Sequence, residues 1–226
     1  MRVAKLSSAV CWTAVFALCH AGLARAQSEP TVTGAHATNH WTVDSGETVG
    51  TGVNVLRGQV GFPGFAGDFI HGLDPTFDIG GRMWLNYAIE GITNSTQFEW
   101  KIQLTLRKQF MDTGKLKLAG TFDPGFLLYT GGGTTSGLTF PVGVQLGIPI
   151  DNKVTINASF DIPFWVTFGS FSSFHMPLLF GGGVEYLLEP NLALTFKLKL
   201  GPDIGFGDFS STNFAFYALF GVAYKM

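Results

Sequence analysis

Long apolar runs are missing from nearly all of this 226-residue chain. Beyond residue 26 no uninterrupted stretch of about eighteen apolar residues occurs, which leaves no room for a membrane-spanning helix. Charge is also scarce, at 13% against roughly 25% for a soluble domain. Cysteine occurs only at Cys11 and Cys19. Both fall in the leader proposed below, so the mature chain has no thiol to oxidise, bridge or ligate with. No basic stripe is present, which argues against a nucleic-acid partner. Yet apolar residues reach 46% and mean hydropathy is +0.27. High apolar content without long runs is what alternation gives.

The alternation is plainest from Phe98 to Arg107. Phe98, Trp100, Ile102, Leu104 and Leu106 fall on one face of a strand; Glu99, Lys101, Gln103, Thr105 and Arg107 fall on the other. A helix would scatter the same apolar residues round its whole circumference. Ten residues rising roughly 3.3 Å each and tilted by about 45° cross about 23 Å, close to the ~25 Å apolar band of an outer-membrane barrel.

Residues 1–26 read as a secretory signal: Arg2 and Lys5 first, then a mostly apolar Leu6 to Leu23, then Ala24-Arg25-Ala26 as an A-x-A cleavage site. A retained anchor is the alternative, weakened by Ser7, Ser8, Thr13 and His20. Lipid attachment at Cys19 lacks the small preceding residue that such processing needs. Without this leader the chain keeps 11 basic and 16 acidic residues, a net charge of −5. Residues 27–47 are polar and aperiodic and read as a periplasmic segment, either disordered or plugging a barrel mouth. His36 and His40 stand four apart, but no helix is signalled to bring them together as metal ligands. A solvated tail is the expectation there, with no metal and no cofactor anywhere in the chain.

From residue 48 to 226 turn signals divide the chain into ten strands: 48–61, 64–73, 77–90, the Phe98 strand, 115–129, 138–150, 154–168, 175–188, 192–205 and 213–226. Short turns at Leu73–Thr76, Met111–Gly114, Asp151–Lys153 and Glu189–Asn191 alternate with connections that are mostly longer. That alternation, with an even strand count, is the outer-membrane rule. Eight or twelve strands are the alternatives, because the first two are Gly-rich and weakly patterned. Pro124, Pro163 and Pro177 interrupt strands, and bulges or shortened pairing are expected at each.

Volume decides which face is inside. Large apolar side chains from ten strands could not fit within a barrel whose lumen is already filled by modest residues at about eight strands. The opposite face, rich in Gly, Ala, Ser, Thr and Asn, does fit. The expected fold is therefore all-β, a transmembrane antiparallel up-and-down β-barrel with its bulky apolar face outward.

The leader, the hairpins and the last strand together resemble small porin-like bacterial outer-membrane β-barrel proteins. The most specific part is the C-terminal alternation of Phe216, Ala218, Phe220, Val222, Tyr224 and Met226. It is similar to the signal read by the barrel-assembly machinery, although that family usually ends in phenylalanine. The resemblance implies a bacterial outer-membrane location, lipid as partner, assembly machinery and periplasmic chaperones during biogenesis, and a monomer.

The inward face carries both signs: Asp78, Arg82, Glu90, Glu99, Lys101, Arg107, Lys115, Lys117, Asp123, Asp161, Glu185, Lys197 and Lys199. Two readings follow. The charges fill the lumen as a salt-bridged plug, or they line a narrow passive path for small polar solutes. Open aqueous channels belong to larger barrels, so the filled lumen is favoured and the chain is taken as non-enzymatic. Hairpin register predicts Lys101 across from or diagonal to Asp123.

Two other classes remain as alternatives. An outer-membrane lipid acyl hydrolase would use Ser173 and His175, which alternation puts on one face near the outer rim; no acidic orienter is evident. A surface binding or adhesion protein would need larger loops than the eight residues or fewer found here. His71 has no nucleophile near it in sequence, and Asn94-Ser95-Thr96 matches a glycan acceptor triplet only weakly.

Overall fold

The computed structural model describes residues 40–88, 91–92, 98–130, 134–169, 172–207 and 212–226. The expected leader, His36, Glu90 and the Asn94–Thr96 triplet lie outside the described residues.

Twelve strand segments follow one another, and no α-helix occurs among the described residues. They are β1 (Asn54–Phe62), β2 (Gly64–Asp74), β3 (Phe77–Asn86), β4 (Phe98–Asp112), β5 (Lys117–Phe122), β6 (Gly125–Thr130), β7 (Thr134–Pro149), β8 (Val154–Phe168), β9 (Ser173–Pro177), β10 (Leu179–Glu189), β11 (Leu192–Gly207) and β12 (Thr212–Lys225). All pairings are antiparallel, and β12 pairs back on β1, so the sheet closes.

The barrel has ten staves rather than twelve. β5 and β6 share one place between β4 and β7, and β9 and β10 share another between β8 and β11. The first break falls at Asp123-Pro124 and the second after Pro177, where a residue without an N–H removes a ladder donor. Pro163 stays within a continuous β8.

The faces sort as alternation requires. Ile102 is 64% exposed and Trp100 and Leu104 are exposed beside it, whereas Glu99, Lys101 and Gln103 on the same strand are buried. Leu56, Phe69, Phe160, Phe180, Leu194 and Phe220 continue the outward apolar surface round the wall. Among the described residues these bulky side chains form no closed interior.

Two expectations are corrected. The first stave starts at Asn54, not at residue 48, because residues 40–53 run inside or beneath the barrel instead of extending its wall. The β4–β5 turn is also later than its Met111–Gly114 signal. Thr113 N donates to Leu116 O at 3.0 Å and Leu116 N to Thr113 Oγ1 at 3.1 Å. That shift puts Lys101 opposite Leu127, neither across from nor diagonal to Asp123.

Candidate functional site in the barrel interior

Residues 40–49 enter the end of the barrel that carries the short turns. Trp41, Thr42, Val43, Asp44, Ser45, Thr48 and Val49 are all buried. Trp41, Val43 and Val49 pack on Val55, Ile70, Leu187, Ala193 and Ala223 of the wall. Trp41 Nε1 donates to Pro190 O at 3.0 Å and Thr48 Oγ1 to Pro75 O at 2.8 Å, which ties the segment to two turns.

Its backbone is held by wall side chains. Glu185 accepts from Val43 N at 2.8 Å and from Asp44 N at 2.9 Å. From the other side Arg107 donates to Thr42 O at 3.0 Å and Ser45 O at 3.3 Å, while Asp78 pairs with the same guanidinium. A segment with no regular structure has its polar groups paired in this way, as burial demands. Two glycines let the chains approach: a Cβ on Gly46 would lie 2.1 Å from Lys117 O, and one on Gly147 would lie 2.8 Å from Ser45.

Asp44 begins a line of alternating charges that climbs the lumen. Its Oδ1 meets Lys197 Nζ at 3.1 Å and Arg57 Nη1 at 2.6 Å. Arg57 Nε also holds Asp68 at 2.8 Å; Asp68 pairs with Arg82, and Arg82 Nη1 reaches Asp123 at 2.8 Å. Burial opposes the charge on Asp44, but Arg57 and Lys197 outweigh it and hold the carboxyl well below the usual carboxylate range.

The expected lumen residues mostly meet partners here. Lys199 pairs with Asp161 at 2.7 Å, Lys101 with Glu99 at 3.5 Å, and Lys117 with Glu47 and Asp112. Asn86 Nδ2 donates to Glu99 at 3.0 Å. Lys115 differs: it is exposed at the turn. His40 is not a solvated tail residue, since its ring nitrogens lie 2.7 Å from Glu47 and 2.9 Å from Thr155 Oγ1. His71 shares a 2.7 Å hydrogen bond with Asn54. Among the described residues no cluster of His, Cys, Asp and Glu is arranged to hold a metal.

Among these charges lies a cavity of about 80 Å³ whose lining includes Arg82, Trp84, Lys101, Asp161, Lys199 and Tyr217. That volume suits a few waters. Towards the loop end Ile92, Leu127, Tyr129 and Trp165 form a buried apolar cluster.

Ser173 and His175 share the inward face at this end. The missing acidic partner is Asp203, whose Oδ2 lies 2.9 Å from His175 Nδ1. The imidazole stacks flat on Trp165, the ring centroids 4.7 Å apart. Ser173 Oγ lies 2.9 Å from Thr167 Oγ1.

No family model matches the chain, and no curated protein matches it. Among solved structures, the outer membrane protease OmpT from Escherichia coli is similar in fold. The two are 8% identical with a TM-score of 0.46, over 78% of this chain and 94% of OmpT.

Proposed function

We propose that the chain is an integral β-barrel of the bacterial outer membrane whose lumen is closed by its own N-terminal segment. Its role is structural rather than that of a standing pore, and no enzymatic step is required of it. Lipid is the partner of the outer face. The apolar exterior supports membrane placement, because a soluble barrel would carry charge where Ile102, Phe160 and Phe220 stand exposed. The observation that carries closure is the grip of Glu185 and Arg107 on residues 42–45. Assembly machinery, chaperones and a monomeric state belong to the same proposal.

Planar-bilayer recording tests closure. Refolded protein should show no steady conductance, and deletion of residues 40–49 should produce it. Steady conductance from the intact protein would instead favour the narrow-pore reading.

A second reading has one observation behind it. Asp203 orients His175 as a general base would need, with Ser173 on the same face. Hydrolysis of phospholipid or lipid A by the wild type, lost in both Ser173→Ala and His175→Ala, would establish it. Equal background rates in all three proteins would end it.

A further inference from the structure

The charges that line the lumen cavity do not balance. Among the described residues, Arg82, Lys101, Lys197 and Lys199 border it, against two carboxylates, Asp123 and Asp161. The four cations come from β3, β4 and β11, so they face the space from different sides of the barrel.

The other acids that hold these cations stand behind them. Asp68 pairs with Arg82 Nε, Glu99 lies 3.5 Å from Lys101 Nζ, and Asp44 lies 3.1 Å from Lys197 Nζ. None of those three carboxylates belongs to the lining. Within it, Arg82 Nη1 meets Asp123 at 2.8 Å and Lys199 Nζ meets Asp161 at 2.7 Å. An ammonium has three N–H donors and a guanidinium five, so Lys197, Lys199 and Arg82 keep donors for the cavity beyond these pairs. Water can accept from them, but it brings no charge against a lining with four cations and two anions. A small oxyanion supplies both acceptors and charge, through the stronger, charge-assisted kind of hydrogen bond.

The walls are shaped around these groups. Gly181 stands opposite Lys199 and Gly143 opposite Asp161. A Cβ on Gly181 would lie 2.6 Å from Lys199 Cγ, and one on Gly143 would lie 2.6 Å from Asp161 Oδ1. Both side chains therefore lean inward over a neighbouring strand that has no side chain in the way. Trp84 makes a flat side, with Lys101 Nζ 5.4 Å and Arg82 Cζ 6.0 Å from its ring centroid. Its Nε1 is committed to Gln103. At about 80 Å³ the space takes a compact anion and no chain attached to one.

We infer that this cavity is a binding site for a single small oxyanion of the phosphate or sulfate class, held by Lys197, Lys199, Lys101 and Arg82. The inference goes beyond closure of the lumen and does not depend on what covers the outer face.

Equilibrium dialysis with radiolabelled inorganic phosphate tests the site. The full mature chain is refolded in detergent micelles with the label present, at fixed ionic strength, and circular dichroism checks the sheet of each variant. The wild type should bind one saturable equivalent. Asp161→Asn removes an acid from the lining at nearly constant size and should tighten binding about threefold. Lys199→Met in the Asp161→Asn background removes a cation without stranding its partner, and should weaken binding about tenfold relative to Asp161→Asn alone. Exposed Lys108→Met should match the wild type. No saturable binding by the wild type would overturn the site. So would Asp161→Asn binding no more tightly than the wild type, which holds even if the double variant fails to fold. Equal loss in Lys108→Met would place the phosphate on the surface and overturn it as well.

Discussion

Glu185 on β10 and Arg107 on β4 hold the same four residues from different parts of the wall: Arg107 takes the carbonyls of Thr42 and Ser45, and Glu185 takes the amides of Val43 and Asp44 between them. Neither side chain could be replaced by an apolar one without stranding buried backbone groups. Arg107 also neutralises Asp78, which is buried beside it. Arg107→Met should therefore cost about 3–5 kcal/mol of barrel stability, the range for removing one partner of a buried pair. Lys108, the next residue, is exposed and only 3.9 Å from Asp74, so Lys108→Met should cost no more than about 1 kcal/mol. Urea unfolding in lipid vesicles compares the two; equal losses would contradict the grip.

Acid should loosen the plug through Asp44. Its folded carboxyl is held below the ordinary range by Arg57 and Lys197 against the opposing effect of burial. A depressed carboxyl contributes stability that is complete above the unfolded pKa, about 3.9, and disappears as pH falls through the folded value. Wild-type thermal stability should fall with pH in that acid range. Asp44→Asn should start lower and lose less of its stability there. A variant with the wild-type slope would show that other groups govern the acid limb.

Gly46 is where the plug touches the wall backbone. A Cβ there would sit 2.1 Å from Lys117 O, a main-chain atom that cannot swing aside. Gly46→Ala should displace the segment while the staves remain paired. With both native cysteines in the expected leader, Ser45→Cys in the mature chain gives a clean reporter, since Ser45 is fully buried. Maleimide should label it slowly alone and at least tenfold faster with Gly46→Ala. Circular dichroism should show the sheet unchanged.

The wall was legible in the sequence because each stave declares itself locally, through side chains that alternate in and out. The plug was not. Residues 40–53 have no period of their own, and what orders them is Arg57, Arg107, Glu185 and Lys197, on four different strands. Asp203 was missed for the same reason: it lies 28 residues from His175, and only the pairing of β9 with β11 brings them together. The Lys101–Asp123 expectation failed through turn length, since a turn closed at Thr113–Leu116 moves every later partner along β5 and β6. Trp84 and Trp165 are interior residues on a face expected to be small and polar. Trp84 Nε1 donates to Gln103 at 3.0 Å, which lets one of these large rings sit inside.

Ile102 gives the most direct test of sidedness. It stands 64% exposed near the middle of the apolar run of β4, with buried Lys101 and Gln103 on either side. On a soluble barrel an exposed isoleucine could become arginine for less than about 0.5 kcal/mol. In a bilayer the same change places a cation against hydrocarbon, and the cost near the midplane is about 2–4 kcal/mol, falling to ~0–1 at the interfaces. Ile102→Arg should therefore lose about 2–4 kcal/mol in reversible unfolding from lipid vesicles. Lys108→Ala, at an exposed position further along β4, should change little. A neutral Ile102→Arg would mean that water, not lipid, covers this face. The other exposed aromatic and aliphatic residues of the wall would then need a different explanation.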